Sequence, residues 1–267
     1  MSVQTLYTAA TGMSALETKL DVVANNLANV ETTAFKRSRA NFEDLLYRHE
    51  KMPGAQDSAG QYTPTGISIG LGVRVASTQG DFAQGSSELT ERELDVAIEG
   101  RGFFQVTDPD GNIYYTRAGH FSKNANSDLV VGSANTGRLL EPPITIPSDA
   151  TAVSISSEGI VSVRQPGSQT LSQVGQIELA YFVNPEGLLR LGESLFSETD
   201  ASGSPILANP GQDGLGRLQQ GALEASNVQP VHELIDLIKT QRAFELNSEA
   251  VKTGDEMMQV VANLRRV

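Results

Sequence analysis

From the first leucine the apolar positions fall at Leu6, Ala9, Met13, Leu16, Leu20, Val23, Leu27 and Val30, in steps that alternate three and four residues. Two interleaved seven-residue series result, 6-13-20-27 and 9-16-23-30, the a/d seam of a coiled coil. So narrow a stripe wants one or two partner helices. A second helix opens after Pro230, with Leu237, Phe244, Val251 and Met258 seven apart and Leu234, Gln241, Ser248 and Asp255 on the adjoining track. This seam is half polar, so it is weaker alone and more selective about its neighbours. Either stripe could be the buried side of a helix in a globular core, the commoner case for amphipathic helices. Their placement at the two ends of the chain, around a long non-helical middle, favours the coiled-coil pairing.

That middle has the patterning of β-structure. Strand-like runs fall at Gly72–Thr78, Leu94–Ile98, Phe103–Thr107, Ile113–Thr116, Leu129–Val131, Ala152–Ile155, Ile160–Val163 and Gln176–Phe182. Asp108-Pro109-Asp110-Gly111-Asn112, between two such runs, is a strong hairpin signal. Met52–Gly66 and residues 199–216 are rich in Gly, Pro and polar residues and are predicted as extended or loop connections. The prediction is an α+β chain: an N-terminal helix over 1–33, an extended linker over 34–71, a β-rich body over 72–198, a connector over 199–229 and a C-terminal helix over 230–267. The two helices pair as a coiled-coil-like axial domain.

Charge sharpens the division. The net −12 of the 267 residues lies in the middle, since 1–40 carries +1 and 230–267 carries −1, leaving 11 cations against 23 anions over 41–229. Near-neutral ends pack against copies of themselves more easily than an acidic middle does. The acidity disfavours a nucleic-acid partner or an anionic membrane, both of which need clustered cations. The absence of cysteine excludes disulfides, thiolate metal sites and cysteine nucleophiles. No run reaches the ~18 apolar residues of a membrane span, so lipid insertion is not expected, and the N-terminus lacks the pattern of a cleavable secretory signal. The expectation is a cytoplasmic protein, or one exported by a route that reads no such signal.

Candidate chemistry is thin. Gly66-Ile67-Ser68-Ile69-Gly70 matches the G-x-S-x-G nucleophile pattern but lacks the strand before and the helix after that an elbow requires. His49, His120 and His232 are scattered without ligand spacing. Asp108–Gly111 misplaces the glycine of a calcium loop and has no closing glutamate. Carboxylate pairs meet by chance in an acidic chain, so a glycosidase-type site stays open with nothing to select one pair. No catalytic, metal or cofactor residue is expected.

Three ordered stretches resemble one family. LDVVANNLANVETTAFKR (Leu20–Arg37) is similar to the N-terminal signature of bacterial flagellar basal-body rod and hook proteins. LDVAIEGRGFFQV (Leu94–Val106) and YTRAGHFS (Tyr115–Ser122) resemble its β-domain motifs, and LEASNVQPVHELIDLIKTQRAFELNSEAV (Leu223–Val251) resembles its C-terminal region. Chain length and the stretch after the first motif look most like the distal-rod members. The resemblance implies a non-enzymatic axial protein, a helical homopolymer forming a hollow drive shaft in the periplasm. Its implied partners are further copies of itself, proximal rod proteins, the hook protein, the peptidoglycan-layer and outer-membrane rings and the flagellar type III export apparatus. In that reading the near-neutral helices form the inner tube and the acidic body faces outward. The expected assembly interface comprises Leu6, Met13, Leu16, Leu20, Val23, Leu27 and Val30 from the first helix and Leu234, Leu237, Gln241, Phe244, Val251 and Met258 from the second. The resembling motifs add Asn25, Asn26, Asn29, Phe35 and Arg242. Tyr47 and Tyr62 anchor residues 47–65 as an inter-subunit brace. Two departures stand out: Ala34 where the family has glycine, so the local turn is expected to differ, and Asn126-Ser127-Asp128 where it has Asn-Gly, with a hairpin of another turn type expected. Alternatives are a proximal rod subunit, a peptidoglycan-acting hydrolase and a secreted adhesive module.

Overall fold

The computed structural model describes residues 3–54, 56, 61–62, 64–132, 137–167 and 170–264. The chain divides into two compact units. One, the helical unit, combines both terminal helices with Ser38–Gly80; the other, the body unit, combines Asn29–Arg37 with Asp81–Val228. By sequence the body unit holds ten cations and twenty anions and the helical unit ten and twelve, so the acidity belongs to the body.

In the helical unit, α1 spans Val3–Ala28. The seven positions of the predicted 3–4 stripe that lie on α1, from Leu6 to Leu27, are at least half-buried, and a stripe through Tyr7, Ala10, Ser14, Glu17, Asp21 and Ala24 stays exposed; the eighth predicted position, Val30, falls beyond the helix. The second helix, α2, spans Pro230–Leu264. Proline is tolerated there because a first-turn N–H has no helical partner, and Glu233 complements the positive end of the helix dipole. The two helices pack antiparallel: Asn26 reaches Glu233, Gly12 faces Asn247, and Leu6 lies where a Cβ on Gly254 would be. The buried or half-buried track of α2 runs through Glu233, Leu237, Thr240, Phe244, Asn247, Val251 and Gly254. It keeps the predicted Leu237, Phe244 and Val251, and its second series is Glu233, Thr240, Asn247 and Gly254; of the predicted adjoining track, Leu234, Gln241 and Asp255 are exposed and Ser248 is half-buried. Small side chains let the backbones approach closely, and a hydrophobic stripe does not reveal them.

Two antiparallel pairs complete this unit, Ser38–Asp44 with Val73–Gly80 and Tyr47–Lys51 with Ile67–Gly70. Three of those strands fall within 34–71, where polar and Gly/Pro residues hide the alternation. Gly72, at φ 125°, lies against the Thr11 hydroxyl, which takes the space of a side chain.

The body unit is built on a nine-stranded sheet. Its central strand Phe103–Thr107 pairs with Ile113–Thr116 on one side and with Gly137–Glu141 and Leu179–Tyr181 on the other. Alternation along it gives the sheet two covered faces. Phe104 and Val106 enter the larger core with Ile98, Phe121, Leu140 and Leu179. Phe103 enters a smaller aromatic core with Tyr115, Phe182 and Phe196. A three-stranded sheet of Ala152–Ile155, Ile160–Arg164 and Ser172–Gln176 adds to the larger core. Two further pairs, Val96–Glu99 with Arg217–Gln220 and Ser87–Leu89 with Ala222–Glu224, bring the C-terminal end of the unit back onto its start.

The Asp108–Asn112 turn closes its hairpin as expected, through Asp108 N–H to the Asn112 carbonyl at 2.9 Å and Gly111 N–H to the Asp108 carbonyl at 2.8 Å. The 124–128 hairpin also survives: the Asn124 side-chain oxygen accepts from the backbone of Asn126 and Asp128, and Ser127 takes φ 71°. The expectation at Ala34 is corrected. It keeps a left-handed backbone, φ 57°, the conformation a glycine favours, because it is buried and its N–H is held by the Glu224 carbonyl at 2.8 Å.

Candidate functional site

The helical unit leaves much apolar surface uncovered. On α2, Val231, Leu234, Ile235, Ile238, Leu246, Met257 and Met258 are exposed, and Leu246 is 73% exposed. Tyr7 on α1 is exposed as well. Single exposed apolar residues are ordinary; a succession along one helix marks a surface that something else covers. Of the expected interface residues, Leu234, Gln241, Arg242 and Met258 are exposed, and Arg242 pairs with Glu245 at 2.8 Å. Leu6, Met13, Leu16, Leu20, Leu27, Val30, Phe35, Leu237, Phe244 and Val251 are half-buried, and Val23 is buried. Asn25 is exposed, and Asn29 accepts from the Thr32 hydroxyl at 3.1 Å.

Asn26 is turned inward. Its carboxamide pairs with Ser38 as a backbone strand would, accepting from the N–H at 2.9 Å and donating to the carbonyl at 2.8 Å, and it also donates to Glu233 at 3.2 Å. One buried side chain thus joins α1, the first strand and the start of α2. In the expected brace, Tyr47 and Tyr62 are exposed, Tyr47 and Gly70 are strand partners, and Gln56 bridges Tyr62; residues 55, 57–60 and 63 lie outside the described residues.

Sequence reasoning missed the most elaborate polar site, an ionic clamp in the body unit. The Glu224 carboxylate is 1% exposed. One oxygen accepts from Lys36 Nζ at 2.5 Å and from Gly85 N–H at 2.9 Å; the other accepts from Arg117 Nε at 2.7 Å. Lys36 also donates to the Ala83 carbonyl at 2.8 Å, and Arg117 to the carbonyls of Gly102 and Gly100 at 2.9 and 3.0 Å. Burial, then the neighbouring Arg117 charge, push the Lys36 ammonium down to about 8 against the pull of Glu224. Burial acts to raise Glu224, but Arg117 and Lys36 outweigh it and hold the carboxyl below its ordinary value. Asn227 extends the clamp: it accepts from Arg37 N–H at 2.8 Å and donates to the carbonyls of Asp81 at 2.8 Å and Ala83 at 3.0 Å. The chain passages 34–37, 81–86 and 224–227, the places where the chain enters and leaves the body unit, are laced together by these side chains.

Elsewhere the chemistry stays as weak as its sequence signal. Ser68 lies on an exposed hairpin strand opposite His49, with another strand following rather than a helix. Among the described residues no group of three or more His, Cys, Asp or Glu could hold a metal ion, and no helix is long and apolar enough to cross a membrane.

The three charged members of the clamp come from three separate family segments. Residues 6–36, which end on Lys36, match the description "Flagella basal body rod protein". Residues 97–163, with Arg117, match "Flagellar hook protein FlgE/F/G D1 domain". Residues 219–264, with Glu224, match "Flagellar basal body rod FlgEFG protein C-terminal". Similar proteins are the flagellar basal-body rod protein FlgG of Caulobacter vibrioides, 45% identical over 98% of this chain and 99% of that protein, and that of Buchnera aphidicola from Acyrthosiphon pisum, 45% identical over 98% and 100%. The FlgG of Bacillus subtilis is 37% identical over 98% and 99%. The chain belongs to the flagellar basal-body rod protein family. It is a structural, non-enzymatic subunit of the rod, located in the flagellar basal body, which removes the hydrolase alternative. Family membership also implies assembly with other basal-body proteins.

Proposed function

We propose that copies of this chain self-assemble as the distal rod, a hollow helical shaft that carries torque from the motor to the hook. The observation that supports this most is the apolar succession on α2, which two helices of one chain leave uncovered and which neighbouring helices of further copies would cover in coiled-coil-like fashion. The distal position is supported by similarity to proteins named FlgG along nearly their full length. In this reading the shaft crosses the periplasm and meets proximal rod proteins at one end and the hook protein at the other. The peptidoglycan-layer and outer-membrane rings surround it, and subunits arrive through the type III apparatus without a cleaved signal. Residues 47–65 brace neighbouring subunits, with the exposed Tyr47 and Tyr62 as anchors.

The test is Ile238→Asp. Ile238 is exposed in the single chain, so the substitution leaves the monomer's melting temperature unchanged and abolishes rod formation by concentrated protein, scored by electron microscopy. Normal rods from this variant contradict the assignment of that face. Removing residues 52–63 addresses the brace separately: curved or short rods are expected, and straight rods of normal length remove that role.

A further inference from the structure

The smaller aromatic core of the body unit opens to solvent as a cleft of about 250 Å³. Phe82, Phe103 and Phe182 wall it, with Phe103 edge-on to Phe82 at 5.7 Å and to Phe182 at 5.9 Å. The backbone carbonyls of Gly100 and Gly102, on the same wall, are fixed by Arg117 of the clamp, so the cleft is preformed. Val183, 73% exposed, stands at its mouth. Between the two glycines Arg101 is exposed, and its guanidinium makes no ion pair among the described residues. A slot with aromatic walls and one unspent cation on its lip fits an apolar side chain flanked by carboxylates.

The body unit carries such a knob. Leu89 is 77% exposed, the most exposed large apolar side chain of this unit among the described residues. Its neighbours Glu88 and Glu91 are exposed and make no ion pair among the described residues. The knob is rigidly presented. Ser87–Leu89 is a strand paired with Ala222–Glu224, Thr90 N–H is held by the Gly221 carbonyl at 2.8 Å, and Glu91 takes a left-handed backbone at φ 58°. A non-glycine residue kept in that region is a local cost that calls for a reason.

We propose that the cleft receives Leu89 of a second copy of this chain, with Glu88 and Glu91 of that copy paired to Arg101. This rests on the rod reading and deepens it. Knob and cleft are different patches of the same unit, so the contact is heterologous: each copy offers one of each, and repetition gives a ring or an open filament rather than a two-fold dimer, the filament being the form the rod reading requires. Leu89 supplies the buried area and the charges set register, since opposite charges across an interface select the partner. An acidic body that repels its like needs such a fixed cation to admit a neighbour's carboxylates.

The chain contains no cysteine, so engineered thiols report the contact without background. Rods of the full-length Leu89→Cys/Val183→Cys variant, oxidised, should give a covalent ladder on a non-reducing gel, and neither single variant should. Burying one leucine is worth enough that Leu89→Asp should raise the protein concentration needed for assembly roughly tenfold or more. Arg101→Glu should do the same, and Glu88→Arg with Glu91→Arg should reverse the Arg101→Glu defect. Rods from Leu89→Asp at the unsubstituted chain's concentration, together with no ladder, overturn the knob-and-cleft contact and leave the rod reading standing. If the unsubstituted chain gives only discrete particles at every concentration, the rod reading itself fails.

Discussion

Replacing Glu224 by glutamine removes the one anion that Lys36 and Arg117 share, leaving the Arg117 guanidinium buried without a counter-ion and taking from the Lys36 ammonium the partner that helps hold its proton. The side chains of Lys36, Glu224 and Arg117 are 0%, 1% and 4% exposed, so solvent does little to screen the loss. Breaking a buried pair by removing one partner costs about 3–5 kcal/mol, and that is the expected loss at pH 7 in urea unfolding followed by far-UV circular dichroism. The pH dependence tests the cause. Lys36 titrates at about 8 when folded against an ordinary 10.5, so between those values the unfolded chain binds the extra proton and stability rises with pH. At about 1.4 kcal/mol per unit the gain is about 3 kcal/mol over that window. The stability of the unsubstituted protein minus that of Lys36→Met should therefore grow by that amount from pH 8 to 10.5. A Glu224→Gln loss below about 1 kcal/mol refutes the clamp as an energetic unit, and a difference that stays flat or shrinks as pH rises refutes burial as the dominant influence on Lys36.

Three smaller perturbations follow from backbone and side-chain geometry. Ala34→Val puts a β-branched residue at φ 57° in a buried turn and should cost about 2 kcal/mol or more by thermal melting, while Ala34→Gly stays within about 1 kcal/mol. Gly119→Ala drives a Cβ into the Val96 carbonyl oxygen, so the body unit should lose about 2 kcal/mol or more in denaturant unfolding. Asn26→Ala removes its hydrogen bonds to the N–H and C=O of Ser38, and a loss of about 1–3 kcal/mol should show as faster amide exchange in α1 and the 38–44 strand but not in the body unit.

The parts legible in the sequence are those written in hydrophobic spacing. The 3–4 stripe located α1, and Phe103–Thr107 and Ala152–Ile155 coincide with strands because both faces of the first are buried and the second alternates. Strands on exposed hairpins, such as Tyr47–Lys51, bury nothing and left no alternation to find. The α2 contact track was half-hidden because Thr240, Asn247 and Gly254 earn their place by being small. The clamp was invisible to patterning, since Lys36 and Glu224 lie 188 residues apart and charged residues read as surface. Its only trace was that Lys36, Arg117 and Glu224 each sit inside a family-like motif, and Asn26 likewise looked like an interface residue when its work is internal.

Helical reconstruction from electron micrographs of polymer grown from the full-length protein would show whether the uncovered helices of one copy are covered by helices of others in a tube. The expected result is a hollow tube whose wall is α1 and α2 of successive copies, with Ile238 and Leu246 buried against neighbouring helices. Discrete particles, or a filament in which those two side chains remain in solvent and only body units touch, would contradict it.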